Sequence, residues 1–307
     1  PPATSSAASD VYKRQAEPTQ WADGDYDGYG DNAVGFQPDA CTSVAGNSTQ
    51  DRFGCIDSDG DGWSDPGGGY TVESGADACD DVLGASWRDR NGCADEDGDG
   101  ASDPDPTGAS SSNGSAWDVT DGADAFLGDD TQWVDTDGDG YGDNPAPATD
   151  PDGCPTQFGD STADRLGCPD TDGDTYSDPD SGFTAANGAD AFPNEASQWA
   201  DQDGDGYGDN ATGTQPDACP TVPGTSTEAN RLGCPDGDGD GWADVDDAFP
   251  FESTQWNDTD MDGYGDNAMG ANPDACPSTA GASANDRLGC ADSDGDGYSD
   301  PDAGWTT

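Results

Sequence analysis

The sequence predicts an irregular tandem-repeat fold: an elongated, rod-like array with little regular secondary structure, held by disulfides and bound cations instead of an apolar core. Three observations lead there. The first is charge: 67 acidic residues face 8 basic ones, a net charge of -59, and all but six of the acids are Asp. The second is composition: 46 Gly, 22 Pro and only 30% apolar residues leave no helical apolar period and no material for a large core. The third is repetition: two motifs alternate, and with the bridges between them they fix the places of the ten Cys and of six of the nine Trp.

Taken singly, each observation has a plainer explanation that the others exclude. Length alone suggests two globular domains, and composition alone sits near the disordered class. Fixed Cys and Trp positions argue against disorder. A solvated acidic surface would use Glu as freely as Asp. Asp suits tight chelating loops because its stem is short and it tolerates turns. Carboxylates at this density repel one another in a compact state unless counter-ions join the fold. The same charge argues against nucleic acid and anionic lipid as partners. No apolar run is long enough to cross a bilayer, and no signal peptide is evident.

The first motif, T/S-Q-W-x-D-x-D-x-D-G-Y-G-D-N, occurs at 19–32, 131–144, 197–210 and 254–267. The second, R-x-G-C-x-D-x-D-G-D-x-x-x-D, occurs at 52–65, 90–103, 165–178, 231–244 and 287–300, with Thr175 replacing the first of the three variable residues' usual Gly. A bridge P-D-A/G-C follows each first motif and ends at Cys41, Cys154, Cys219 or Cys276. A bridge G-A-D-A-F, or D-D-A-F, follows the second and ends at Phe126, Phe192 or Phe249. The stretch from Gly75 to Cys79 merges both bridges and skips a first motif. The expected organisation is a non-repeat segment 1–18, module 1 at 19–75, a shortened module at 76–118, and modules 2, 3 and 4 at 119–186, 187–246 and 247–307. Residues 107–117 and 181–187 read as insertions between modules. Residues 1–15 match no repeat and, if ordered, are expected to pack on a neighbouring chain.

Each motif carries the front half of a calcium loop, with acids at its first, third, fifth and ninth positions. Gly at the sixth allows a sharp turn, and the seventh residue offers its carbonyl. In the first type the expected ligands are Asp23, Asp25, Asp27, Tyr29 and Asp31; Asp135, Asp137, Asp139, Tyr141 and Asp143; Asp201, Asp203, Asp205, Tyr207 and Asp209; and Asp258, Asp260, Asp262, Tyr264 and Asp266. The usual Glu at position twelve is absent, and Val34 stands there in module 1. The bridge acids Asp39, Asp152, Asp217 and Asp274 are expected to close these sites. In the second type the ligands are Asp57, Asp59, Asp61 and Asp65; Asp95, Asp97, Asp99 and Asp103; Asp170, Asp172, Asp174 and Asp178; Asp236, Asp238, Asp240 and Asp244; and Asp292, Asp294, Asp296 and Asp300. Asp247 falls at position twelve of its loop; Asp124 and Asp190 lie farther along, across an insertion. Eight of the nine loops have Gly at position six; the exception, Thr175, marks a weaker site. Magnesium is the main rival ion, but it demands octahedral geometry and keeps its waters, so long Asp-rich loops favour calcium. At least nine ions are expected, with more than one at many loops, since nine divalent ions would leave most of the negative charge uncancelled.

The alternation resembles thrombospondin type 3 repeats, especially bacterial versions with D-A-F-P, T-Q-W and P-D-A-C-P, over roughly 19–303. The sequences Ala191-Phe192-Pro193, Ala248-Phe249-Pro250 and Asp217-Ala218-Cys219-Pro220 carry the resemblance best. It implies calcium wrapped by a nearly structureless chain, secretion, and a spacer, adhesive or matrix role. The shortened module and the N-terminus depart from the pattern.

Constant spacing pairs the cysteines locally: Cys41 with Cys55, Cys79 with Cys93, Cys154 with Cys168, Cys219 with Cys234, and Cys276 with Cys290. Each bridge would close a short loop, contributing about 3 kcal/mol in the chain-entropy model, and would place the chain outside a reducing cytosol. Trp21, Trp133, Trp199 and Trp256 precede the first ligand by two residues, and Trp63, Tyr176, Trp242 and Tyr298 sit at the seventh position of second-type loops. Packing of one loop on the next is the expected use of these rings; a sugar-binding face is the alternative. Arg52, Arg90, Arg165, Arg231 and Arg287 precede a Cys by three and are expected to fork onto carbonyls or Asp. Sequons stand at Asn47, Asn113, Asn210 and Asn257.

With no His and one Lys, the usual parts of acid–base and nucleophilic catalysis are missing, so no enzyme is expected. The expected function is an extracellular or cell-surface structural repeat protein, a rod, fibre or stalk stiffened by calcium. Head-to-tail self-association into filaments follows from the whole-module ends. The alternative is a calcium-dependent adhesin or carbohydrate-binding stalk with glycans as partners.

Overall fold

The structure, a computed structural model, describes residues 18–106 and 116–301. Most of segment 1–18, the Asn113 sequon and most of the insertion 107–117 therefore lie outside the described residues. Regular structure among those described is limited to two single-turn 3-10 helices, Val72–Ser74 and Ala185–Asn187, and a few isolated bridges. Among the described residues, no helix is long and apolar enough to cross a membrane. The chain divides into two compact units, Pro1–Phe158 and Gly159–Thr307. The first holds the loops at 23–31, 57–65, 95–103 and 135–143; the second holds those at 170–178, 201–209, 236–244, 258–266 and 292–300.

The irregular, disulfide-stabilised class expected from sequence is observed. The bridges Cys41–Cys55, Cys79–Cys93, Cys219–Cys234 and Cys276–Cys290 form as spacing predicts. Cys154 and Cys168 are disulfide-bonded as well, and no cysteine is free. An oxidising compartment is the setting in which such bridges persist.

The interior has almost no apolar side chains. The buried hydrophobic residues are Cys and Ala, while Gln132, Gln198, Gln255, Asp77, Asp124 and Asp190 are among the largest fully buried side chains. Hydrogen bonding to backbone replaces apolar packing. In the T-Q-W motif, Gln198 Oε1 accepts from the Asn210 amide at 2.9 Å, and its Nε2 donates to the carbonyls of Asn210 and Thr214, each at 3.1 Å. Asn210 returns a bond from Nδ2 to the Ser197 carbonyl at 2.8 Å, so the two ends of the motif interlock. Gly208 must lack a side chain here: a Cβ would lie 2.1 Å from Gln198 Oε1.

The cysteine loops use a buried Ser instead. Ser86 Oγ donates to the Arg90 carbonyl at 2.6 Å and accepts from the Cys93 amide at 2.8 Å. Arg52, Arg90 and Arg165 fork onto carbonyls as expected, Arg231 pairs with Asp246 through Nε, and Arg287 Nη2 donates to the Cys276 sulfur at 3.1 Å. Arg90 Nη2 donates to the Asp103 carbonyl at 3.2 Å, Nε to Ser102 Oγ at 3.0 Å, and Nη1 pairs with Asp105 at 3.1 Å. Arg165 repeats the fork and pairs with Asp180 at 2.6 Å.

The supposed insertions share a pattern. Tyr70, Trp117 and Phe183 each stand seven residues before a bridge Asp and lie under a guanidinium, that of Arg52, Arg90 and Arg165 at 4.0, 5.0 and 4.4 Å. The chain then turns through Gly75, Gly122 or Gly188, all with φ between 107° and 113°, into Ala-Asp-Ala. From sequence, 107–117 and 181–187 read as insertions and Tyr70 carries no signal, because the aromatic changes identity from one copy to the next.

Candidate metal centre

Among the described residues, nine groups of three or more potential metal-ligating side chains bring ligand atoms within 4.8 Å of one another, among them the Asp triads Asp23/Asp25/Asp27, Asp57/Asp59/Asp61, Asp95/Asp97/Asp99, Asp135/Asp137/Asp139 and Asp170/Asp172/Asp174. Each loop position has its own task. The first acid clamps backbone: Asp57 Oδ1 accepts from the Gly60 amide at 2.7 Å and Oδ2 from the Gly62 amide at 3.0 Å. Asp95, Asp135, Asp201, Asp236 and Asp292 do the same to their fourth and sixth residues. Both nitrogens belong to residues of positive φ, which favours Gly at position four as well as six. Tyr26 and Met261 depart from this at position four with φ of 68° and 63°, and Thr175 at position six with 86°.

Most third and fifth acids turn one oxygen to the amide two residues on. The second oxygen of the fifth acids Asp27, Asp61, Asp205 and Asp262 accepts from the amides of Gly46, Gly84, Gly224 and Gly281 in the following cysteine loop, and in others it is left for the interior. Asp59 Oδ1 accepts from Asp61 at 3.1 Å, and Asp61 Oδ1 from Trp63 at 2.8 Å. Asp59 Oδ2, Asp97 Oδ2, Asp172 Oδ2, Asp203 Oδ2, Asp238 Oδ2 and both oxygens of Asp25, Asp137 and Asp260 are buried without a hydrogen-bond partner. The seventh carbonyl, that of Tyr29, Tyr141, Tyr207 and Tyr264 and of the second-type counterparts, accepts no hydrogen bond from the described residues. The ninth acid braces the loop. Asp65 takes the Ser58 amide at 2.9 Å and its hydroxyl at 2.6 Å, and Asp143, Asp178, Asp266 and Asp300 likewise engage both oxygens. Asp209 differs, with Oδ1 buried and unpartnered.

The bridge acids complete the arrangement. The amides of Asp39, Asp152, Asp217 and Asp274 each donate to the carbonyl of the eighth loop residue at 2.8 Å. Those of Asp77, Asp124, Asp190 and Asp247 make the same bond at 2.9 Å. The side chains then take the amide two residues on: Cys41 to Asp39 and Phe192 to Asp190, each at 2.7 Å. The other oxygen of Asp39, Asp77, Asp152, Asp190, Asp217 and Asp274 is buried and unpartnered. Burial pushes the carboxyl of Asp77 up to about 7 and those of Asp39, Asp124, Asp152 and Asp190 up to about 6; the charges of the neighbouring third- and fifth-position acids add to the shift. A buried, unpaired carboxylate costs about 1–3 kcal/mol or more unless something positive meets it. The residues therefore fit a hard, oxygen-preferring metal ion, with the unpartnered oxygens and the seventh carbonyl as its ligands.

Sequence reasoning placed the first-type closing acids and Asp190 and Asp247 in these sites, and the structure brings each beside its loop. It set Asp124 beside Asp190 only as an equivalent across an insertion, without counting it among the ligands, and left Asp77 out altogether. The signal was present, since Gly-Ala-Asp-Ala precedes Cys79 and Phe126 as it precedes Phe192. For loop 292–300 any closing acid beyond Pro301 lies outside the described residues.

Aromatic packing links neighbouring loops within a unit. Tyr176 stacks on Trp199 at 5.4 Å and Trp242 on Trp256 at 6.5 Å. Loop 95–103 has Ala101 at the ring position, and Arg88 substitutes: its guanidinium lies 3.5 Å over Trp133 while Nη2 donates to the Asp99 carbonyl at 2.8 Å. The sequon amides are occupied internally: Asn47 Nδ2 donates to Asp57 at 3.4 Å, Asn210 to the Ser197 carbonyl at 2.8 Å and Asn257 to Asp266 at 2.5 Å. A glycan on any of them would break that bond.

No protein-family model matches the chain, and a search of curated proteins finds no match.

Proposed function

We propose that the chain is a calcium-binding structural protein of an extracellular or cell-surface setting, in which the ions take the place of an apolar core. The observation that carries this reading is the ring of buried, unpartnered carboxylate oxygens closed by a bridge acid, as at Asp59 and Asp77. Electrostatics supports it: a net charge of -59 on a chain whose interior is Asp, Ser, Gln and Cys is self-repelling without cations. Calcium suits the site better than magnesium because a flexible set of carboxylates and carbonyls accommodates six to eight oxygen ligands. Zinc has no His to bind, and every Cys is bonded to another. The resemblance to thrombospondin type 3 repeats points the same way.

Such a chain would act as a spacer or stalk whose stiffness depends on calcium, and it needs no catalytic group. Isothermal titration with calcium, with circular dichroism in chelator on the same sample, tests the reading. Saturable binding of at least nine ions and a large loss of fold stability in chelator support it. A fold indifferent to chelator, or magnesium binding as tightly as calcium, overturns it.

A further inference from the structure

Every loop contains at least one Asp-Gly bond, as in Asp59-Gly60 and Asp61-Gly62. The nitrogen of Gly is sterically open and its backbone freely adopts the conformations a ring closure needs. We propose that these bonds are latent modification sites, at which Asp rearranges to isoaspartate once a loop opens, and that the closed loop suppresses this through its first acid. The proposal rests on the calcium reading only in naming what keeps the loops closed.

The chemistry is intramolecular. The backbone nitrogen of the Gly attacks Cγ of the preceding Asp and loses its proton. The carboxyl C–O bond breaks, and one water leaves, giving a five-membered succinimide. Water then adds to either carbonyl. Opening at the side-chain carbonyl restores Asp; opening at the former main-chain carbonyl leaves isoaspartate, with the chain running through the side-chain carbon. No atom is gained or lost overall.

The closed geometry occupies both reacting groups. The Gly60 and Gly62 nitrogens already donate to Asp57 at 2.7 and 3.0 Å. The carboxyls of Asp59 and Asp61 are turned to the amides of Asp61 and Trp63 instead of to the nitrogens that would attack them. Rearrangement would lengthen the main chain by one carbon and shorten the ligand arm, so an affected loop could not close again in its native form. An episode of calcium loss would thus be recorded covalently, loop by loop.

Asp121-Gly122 provides an internal reference. It lies outside every loop, and among the described residues no carboxylate accepts from the Gly122 nitrogen. The test incubates the full chain at neutral pH with calcium or with chelator, locates isoaspartate by peptide mapping, and measures calcium binding by calorimetry on the same samples. Asp59 and Asp61 are expected to rearrange about tenfold or more faster in chelator, because closed-state protection scales with the opening equilibrium. Asp121, which has no clamp to lose, should change less between the two buffers. If calcium binds and Asp59 and Asp61 still rearrange in calcium at the rate of Asp121, the proposal falls. If no calcium binds and the two buffers give equal rates, the proposed function falls instead. Asp57→Ala then decides the clamp alone: faster rearrangement confined to Asp59 and Asp61, with Asp97 and Asp99 unchanged, supports it, and no increase overturns it.

Discussion

The amide of Asp77 donates to the carbonyl of Ser64 at 2.9 Å, although thirteen residues separate them. Asp247 makes the same bond to Ala243 at 2.9 Å across only four. The closing acid is therefore fixed by docking on the eighth loop residue and not by counting along the chain, which lets the loops absorb inserts of different length. Its effect on stability should reverse with calcium. Asp77→Ala removes a buried carboxylate with an unpartnered oxygen, so in chelator it should stabilise the fold by about 1–3 kcal/mol. In calcium it should lower the melting temperature and remove one bound ion. Thermal melts in the two buffers check this; a change of the same sign in both would refute it.

The raised carboxyls give the ion-free and calcium-loaded chains opposite pH dependence. Burial lifts Asp77 to about 7 and Asp39, Asp124, Asp152 and Asp190 to about 6, from an ordinary 3.8. In chelator the folded chain thus binds more protons than the unfolded one between about pH 4 and pH 7, so its stability rises as pH falls through that window. With calcium the same protons compete with the ion, and stability should fall over the same range. Urea midpoints at several pH values, with and without calcium, measure both slopes.

Much of this was legible in the sequence. The Asp spacing gave the loops, constant Cys spacing gave the pairings, and the scarcity of apolar residues gave an interior without a hydrophobic core. Three features were less visible for identifiable reasons. The membership of Asp77 was hidden because closure depends on a bond to Ser64, which no spacing rule encodes. The work of Gln132, Gln198 and Gln255 was hidden because buried Gln has no characteristic period; only its hydrogen bonds show what it holds. The glycine requirement at position four was masked because Tyr26 and Met261 break it.

Thr175 stores strain. A β-branched residue at φ 86° sits where eight other loops have Gly, and it still donates its amide to Asp170 at 2.7 Å. Thr175→Gly should relieve about 1–2 kcal/mol of backbone strain, less the entropy gained by the unfolded chain, and tighten cation binding in loop 170–178. The calcium dependence of amide exchange at Gly173, which donates to Asp170 at 2.8 Å, reads that loop, and unchanged affinity would count against strain at this position.

Gln198 should be among the least replaceable residues in its unit. It is 2% exposed and satisfies three backbone groups of the segment that follows the loop. Gln198→Leu conserves bulk but orphans those groups, at a cost of about 3 kcal/mol. Amide exchange at Asn210 should accelerate by orders of magnitude, while exchange at Gly297, in a loop with no such Gln, should not change.

Disulfides and ion loops are mechanically joined, so reduction should weaken particular sites. The Gly281 amide, inside the Cys276–Cys290 loop, donates to Asp262 Oδ2 at 2.9 Å, and a Cβ on Gly289 would lie 2.2 Å from Asp274 Oδ1. That cysteine loop therefore holds both the fifth acid and the closing acid of loop 258–266 in place. Asp240 receives no such bond, and its Oδ2 is buried without a partner. Replacing Cys276 and Cys290 by Ser should weaken cation binding at loop 258–266 about tenfold, the value of roughly one charge-assisted hydrogen bond. Binding at loop 236–244 should be unchanged. The calcium dependence of amide exchange distinguishes the two, because the clamped Gly263 amide reports loop 258–266 and the clamped Gly241 amide reports loop 236–244. Equal weakening of both loops would mean that the disulfide acts on the whole unit and not through the Gly281–Asp262 contact.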